Sequence, residues 1–572
     1  MAAYFDLHFH PLSKRFLTQF NDLKRQNKLA TEPITLPRLG RIVDAVSGRI
    51  LQSQGCVSQA VKGGISLGVA SIVAIEYVFA TRQGKLKLLE WEVNGRDVIA
   101  PLDNRLFEFV HGSSGSYHTL FTKELGFYQW AAQKNDLLYG INLLSRKNGA
   151  GTSLHPNKLN LVLAIEGGHN LSKRFINKLA GVSDPVAVVE QYRKNQLVDF
   201  LYLTLTHLSH IPEQLLCSHA YGFKMVKNVP EARPQIKGLT QLGKEVVRAC
   251  VDTKNNKYPI LIDIKHMSLQ GRRDFYAYRR HLLEKMPDGF KPPKMLDKKP
   301  WWPILATHMG VTGYNSIDMV GLIKEYGVED DNDLSVRVRL QRQEAAKLPE
   351  GLGIEKVYFN PATIGLCDDD IREIARSRGL IGISLDARIL GYENLVGRRL
   401  PDYDYLSRDD FSQLFPELAK ALPRLKPSEE EPREEVKEQE ALKVTEGLIH
   451  GLADRRKREL YLFCLNVLHV VVVINQMAET ERHGINGWDF VCIGSDYDGL
   501  IDSLQAADTV EDLAEFEMEL QSYLPRAEKA YRKTFEDTPE LLPKKNGKPV
   551  VNAVLRQLFQ ENGERFLREW WG

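Results

Sequence analysis

Cysteine is scarce: the 572 residues hold six (Cys56, Cys217, Cys250, Cys367, Cys464 and Cys492), scattered and never spaced C-x-x-C. That argues against a thiolate metal site and against a disulfide framework, and it fits a reducing compartment, so the expected location is cytoplasmic. Excess charge is also missing. The 76 Lys and Arg against 74 Asp and Glu leave a formal net charge of +2, with no global field to gather nucleic acid or an acidic membrane. A secretory leader is not expected, since Met1-Ala2-Ala3 runs straight into the first strand pattern. Nor is a membrane span. The most apolar stretch, Tyr461 to Met477, carries Asn466, His469, Asn475 and Gln476 and reads as a buried helix. The remaining composition, 43% hydrophobic and 26% charged, is that of an ordinary soluble enzyme.

What is present begins at Tyr4-Phe5-Asp6-Leu7-His8-Phe9-His10-Pro11. Polar and apolar residues alternate with period 2, so Asp6, His8 and His10 share one face of a strand and Phe5, Leu7 and Phe9 the other. Pro11, lacking an N–H, ends it. A His-x-His pair arises by chance roughly 0.4 times in such a composition, so it needs support from elsewhere in the chain.

That support comes from seven further apolar runs, at 64–79, 159–165, 200–207, 258–266, 302–308, 379–386 and 489–496, separated mostly by helical patterns. Eight strands alternating with helices predict a parallel sheet closed into a (β/α)₈ barrel, a TIM barrel. Such a barrel takes ~250 residues. The whole chain, 1–572, is therefore read as one barrel with long loop insertions at approximately 80–155, 312–358 and 395–445. The charge run 427–440 (PSEEEPREEVKEQE) reads as a solvated surface segment. All the runs except the second end on, or lead straight into, a His, Asp or Glu, and active sites of this fold are built from strand ends at the C-terminal face. Strands one, three, five and six thereby offer His8, His10, Glu166, His266 and His308. Imidazoles and carboxylates suit zinc or a neighbouring divalent metal, and a carboxylate between two sets of imidazoles suits a two-metal site that activates water. Asp496, closing the last strand, is placed to move that water's proton.

The segments DLHFHP, AIEGGH, YLTLTH, LIDIKHMS, ILATHMG and CIGSDYDG, in this order, together with LTQLGKEVV and ENGERFLREWW, resemble the renal-type membrane dipeptidase family of the amidohydrolase superfamily. The resemblance touches all eight strands; the three insertions have no counterpart in it. It implies that His8 and His10 bind a first metal, that Glu166 bridges, and that His266 and His308 bind a second. It further implies Asp496 as general acid/base and His207 in contact with the scissile carbonyl or its oxyanion. Two zinc ions are the expected cofactors, and a dipeptide or N-acyl amino acid the expected small-molecule substrate, cleaved at its amide bond. No nucleic-acid partner is expected, and a homodimer is left open. The chain departs from the family at His10, where Asp is typical, which removes one negative charge from the site. It also lacks a clear match to the arginine that holds the substrate carboxylate after strand six.

The competing readings are a lactonase or phosphoester hydrolase of the same superfamily, and a non-catalytic metal-binding barrel acting through its insertions. Of the remaining polar residues, Asp6 is expected to hydrogen-bond a ligand imidazole and Lys265 to point away from His266 as a structural residue. His169, His210 and His219 are read as supporting side chains, Asp498 as a loop support and His469 as a core histidine.

Overall fold

The computed structural model describes residues 3–571 apart from 21–28, 47–48, 81–91, 94–95, 98–102, 113–114, 147–153, 177–182, 196–197, 212–214, 223–231, 253–258, 286–301, 317, 319, 348–355, 392–402 and 426–437. Eight parallel strands occur in chain order around the sheet: β1 (Tyr4–Phe9), β2 (Ile65–Ile72), β3 (Lys158–Glu166), β4 (Phe200–Thr204), β5 (Leu261–Asp263), β6 (Ile304–Met309), β7 (Leu380–Ile383) and β8 (Val491–Ile493). Nearly every residue of these strands is buried, as expected when helices cover the outside and side chains fill the inside. This is the (β/α)₈ barrel that the strand pattern predicts.

The seam between β8 and β1 is closed by the segment just past β8 and by one side chain. Asp496 N–H donates to the His8 carbonyl at 2.9 Å and His10 N–H to the Tyr497 carbonyl at 2.9 Å. Asp6, inside the wall, accepts from the Ser495 N–H at 3.0 Å and from the Ser495 hydroxyl. Next to the seam, β7 and the residue after β8 approach β6 closely through glycine. A Cβ at Gly382 or Gly494 would stand 1.9 or 1.8 Å from the Thr307 carbonyl oxygen, so no side chain fits at either place.

Helices Gln241–Val251, Leu269–Lys285, Asp368–Arg376 and Glu438–Asn475 lie in the connections. The first is capped by Thr240, whose hydroxyl accepts from Gly243 N–H at 2.9 Å. Asp368–Arg376 opens on three aspartates and closes on Arg376, matching charge to the helix dipole at both ends. Within the long helix, Arg455–Asn475 is apolar and long enough to cross a membrane by composition, yet 89% of its most apolar window is buried, consistent with the buried helix read from the sequence. The C-terminal helix Asn562–Trp570 packs under the closing strand: Asn562 Nδ2 donates to the Trp488 and Val491 carbonyls at 2.7 and 2.8 Å.

The insertions carry structure that periodicity does not announce. From the first, Gly140–Leu143 pairs in parallel with Lys158–Leu161 of β3. The second and third share one antiparallel sheet, in which Ser335–Leu340 pairs with Ile323–Gly327 on one edge and Tyr403–Ser407 on the other. Most of the acidic run 427–440 lies outside the described residues.

Several boundaries differ from the sequence reading: the fourth strand ends at Thr204 and the eighth at Ile493, each three residues short of the His207 and Asp496 expected to end it. The second strand ends at Ile72 instead of running to Phe79, and the fifth begins at Leu261, residues 253–258 being outside the described set. The seventh ends at Ile383, and Asp386 instead caps the short helix Ala387–Leu390 while pairing with Arg388 at 2.6 Å.

Candidate metal centre

The strand ends deliver five imidazoles and two carboxylates to one place. β1 alternates, so His8 and His10 point the same way, and their Nε2 atoms stand 3.2 Å apart. Both face one oxygen of Glu166, the last residue of β3: Oε2 lies 3.4 Å from His8 Nε2 and 3.3 Å from His10 Nε2. The other oxygen, Oε1, faces a different set, with His266 Nε2 at 3.2 Å, His308 Nε2 at 3.7 Å and His207 Nε2 at 3.7 Å. Asp496 Oδ1 closes the first set, 3.6 Å from His8 and 3.4 Å from His10, and its Oδ2 lies 4.0 Å from His308. The five ligands expected from the sequence, and both expected catalytic residues, are thus gathered around Glu166.

Local backbone explains how. His266, Asp496 and Asp498 sit at φ +66°, +63° and +68°, a conformation uncommon for residues other than glycine and concentrated at functional turns. Each lies just past its strand where the chain turns sharply; the turn brings the His266 and Asp496 side chains to the centre, while that of Asp498 pairs with Lys14. Gly499 is required beside Asp496, since a Cβ there would lie 2.1 Å from Asp496 Oδ1.

A layer of hydroxyls below fixes the rings. Thr307 Oγ1 donates to Asp263 Oδ2 at 2.8 Å, and Thr204 Oγ1 donates to the same oxygen at 2.8 Å. With its hydrogen committed, Thr307 Oγ1 accepts from His308 Nδ1 at 2.9 Å and lies 3.3 Å from His8 Nδ1, which also meets the Tyr202 hydroxyl at 2.8 Å. His308 therefore carries its proton on Nδ1 and presents the Nε2 lone pair to the site, the tautomer a metal needs. Tyr202, Thr307 and Asp263 were not singled out from the sequence; their inward positions follow from strand alternation, though their chemistry is unremarkable in isolation.

Electrostatics agree with a cation site. Burial alone would lift the Glu166 carboxyl, but His8, His10 and His266 hold it well below its ordinary range. Burial works against a charge on His10, yet Asp496 and Glu166 outweigh it and push the imidazole up to about 10. Burial, together with His207 and Lys265, holds His266 well below its usual value, and burial with His8 and Lys265 does the same for His308. Two carboxylates and several inward lone pairs in a largely buried mouth form a donor set for divalent ions, and the separations fit. Bonds of about 2.1 Å at a tetrahedral ion set donor atoms about 3.4 Å apart, the spacing found on both oxygens of Glu166.

Several supporting residues depart from expectation. Among the described residues Asp6 hydrogen-bonds no imidazole; besides Ser495 it accepts from the His8 backbone N–H at 3.1 Å, so it belongs to the barrel seam. Lys265 lies buried inside the mouth among the fields of Asp496, Asp386, Asp263 and Glu166, its Nζ without a hydrogen-bond partner in the described residues, and burial pushes its ammonium down to about 8. Asp498 does hold a loop, pairing with Lys14 at 3.0 Å and accepting from Gln54 N–H at 2.7 Å. His169 meets the Ala74 carbonyl at 2.9 Å, and His469 is satisfied by Tyr531 and Asp368 at 2.9 Å each. Glu76 was missed altogether. It lies four residues beyond β2, 2% exposed, and meets His207 Nδ1 at 2.7 Å.

Fold and site together define a (β/α)₈ barrel with a histidine–carboxylate centre suited to divalent metal. No family model matches the chain, and no curated protein matches it. Among solved structures it is similar to a dipeptidase of metallopeptidase family M19, at 13% identity and a TM-score of 0.45, over 100% of this chain and 99% of that one. A metallopeptidase from Rhodobacter sphaeroides, liganded with a phosphinate mimic of the dipeptide L-Ala-D-Ala, has 13% identity and a TM-score of 0.43 over 100% and 99%. The probable dipeptidase PvdM from Pseudomonas aeruginosa has 12% identity and a TM-score of 0.41 over 91% and 88%.

Proposed function

We propose that this protein is a metal-dependent hydrolase that cleaves an amide bond in a small substrate, with a dipeptide or N-acyl amino acid as the leading class. One observation carries the reading: the two oxygens of a single buried carboxylate, Glu166, each face a separate set of imidazoles. In this reading His8, His10 and Glu166 would hold one ion and His266, His308 and Glu166 a second, and zinc suits such donors. Ions bound there would supply Lewis acidity and lower the pKa of a coordinated water toward neutrality.

The protein's own groups supply the rest. Asp496 is the one carboxylate of the centre with appreciable exposure, its side chain 16% accessible, so it borders the space a substrate enters. It takes the proton of the attacking water and returns it to the leaving amine. Thr307 and Tyr202 keep the rings of His308 and His8 from rotating, so the site needs little rearrangement during reaction. The narrowing from hydrolase to amide hydrolase rests on the order of the strand-end motifs.

The test is a panel of dipeptides, N-acyl amino acids, lactones and phosphoesters, run on metal-loaded protein with Asp496→Asn as control. Turnover of an amide that Asp496→Asn loses while keeping its metal supports the reading. Turnover confined to lactones or phosphoesters would move the protein to the neighbouring chemistry, and no turnover on any class by metal-loaded protein would favour a binding role.

A further inference from the structure

We propose that His207 is a ligand of the second ion, oriented for that role by Glu76, and not a contact to the substrate. The proposal rests on the metal-dependent reading above, and it changes the ligand set. Glu76 is fully enclosed beyond β2, and three groups of one turn converge on it. His207 Nδ1 and the Leu208 N–H reach Oε1 at 2.7 and 3.1 Å, and the Ser209 hydroxyl reaches Oε2. A carboxylate in such company only accepts, so the hydrogen between it and His207 sits on Nδ1. The opposite ring nitrogen, Nε2, then faces the metal centre.

There it meets the geometry of a ligand. His207 Nε2 lies 3.7 Å and His266 Nε2 3.2 Å from Glu166 Oε1, and one donor atom from each of these residues falls within 4.8 Å of the other two. These separations bracket the roughly 3.4 Å edge expected around a tetrahedral ion with bonds of about 2.1 Å. His308 Nε2 approaches the same oxygen at 3.7 Å, so His207 would join His266 and His308 around the second ion. The charge balance points the same way. Among the described residues, two divalent ions would be met directly by two carboxylates, Glu166 and Asp496, and Glu76 adds a third negative charge one imidazole away. Carboxylate–imidazole–metal relays of this kind fix the ring and raise its basicity as a ligand, and losing the outer carboxylate typically costs 10–100-fold in metal affinity.

The loop bearing Glu76 is itself anchored. Ala74 N–H donates to Asn170 Oδ1 at 2.9 Å, its carbonyl meets His169 Nε2, and Tyr77 N–H donates to the Tyr117 hydroxyl at 2.9 Å. Two of these three anchors stand in the turn that follows Glu166, so the relay and the bridging carboxylate share one support.

The experiment is a Zn²⁺ binding isotherm on metal-stripped full-length protein, for wild type, Glu76→Gln and His207→Ala, with imidazole coordination counted by X-ray absorption on the Co²⁺-loaded forms. Glu76→Gln keeps the shape and the acceptor for Nδ1 while removing the charge, so it reports on the relay even if His207→Ala folds poorly. The expected result is a second equivalent bound 10–100-fold more weakly in Glu76→Gln and absent, with one imidazole fewer, in His207→Ala. Wild-type affinity for the second equivalent in either variant overturns the proposal, and wild-type metal binding with lost turnover in His207→Ala would return His207 to the substrate. A wild type that binds no second equivalent at all would instead remove the two-ion reading on which the proposal stands.

Discussion

Asp6 and Ser495 clasp the first and last strands of the barrel across its seam. Asp6 Oδ1 takes the Ser495 N–H at 3.0 Å and Oδ2 its hydroxyl, both fully buried. The next residue on one side is Asp496 and, two residues on along β1, His8, so the clasp sets how far apart two members of the metal centre stand. A residue expected to steady an imidazole instead steadies the wall that bears it.

Ser495→Ala should therefore destabilise the protein and disturb the site together. It leaves Asp6 Oδ2 without its donor, a loss of about 1–3 kcal/mol for a buried acceptor. Urea unfolding followed by circular dichroism reads the midpoint, and an unchanged midpoint would show that the backbone bonds past β8 close the barrel by themselves.

Thr307→Val tests the hydroxyl layer under the rings. The substitution is close in size but removes both the donor to Asp263 and the acceptor for His308 Nδ1. Metal affinity should fall by about 10–100-fold, as for other outer partners of ligating histidines, measured by competition with a chromophoric chelator. Unchanged affinity would mean that His308 needs no help in choosing its tautomer.

Asp410 supplies a pH dependence away from the metal. It stands in the helix Arg408–Leu414 of the third insertion and accepts from Gly238 N–H and the Ser268 hydroxyl, each at 2.7 Å, two residues past His266. Burial lifts its carboxyl from 3.8 to about 6. A raised acid binds its proton more tightly in the folded state, so its stabilising share is complete below pH ~4 and is lost as pH rises through 6. The stability of wild type relative to Asp410→Asn should thus fall by about 2 kcal/mol between pH 4 and pH 6, and level off only above about pH 7. Chemical denaturation across that range checks it; a flat difference would place Asp410 in a better-solvated setting.

The sequence made the ligands legible because each sits at or just past the end of an apolar run, where a His or Glu stands out against its surroundings. His8, His10, Glu166, His266 and His308 are all of this kind. Glu76 escaped because β2 stops at Ile72, four residues short of it, and its partner His207 is 131 residues away. Tyr202, Thr307 and Asp263 escaped for another reason: their part in the site consists of donating and accepting around rings on other strands. Period-2 alternation put Asp6 on the face of His8 and His10 but could not say that it lies one layer deeper, level with Ser495. The shared sheet of the second and third insertions depends on an antiparallel pairing of Ser335 with Ser407, which local pattern does not encode.

The most direct measurement is elemental analysis of protein purified without chelator, for wild type and Glu166→Ala. If Glu166 bridges two ions, the wild type carries two equivalents of divalent metal and the variant loses both or retains one loosely, while both proteins keep the circular dichroism of a folded barrel. A wild type that takes up no metal when metal is in excess, or a Glu166→Ala protein that still holds two equivalents, would contradict the account.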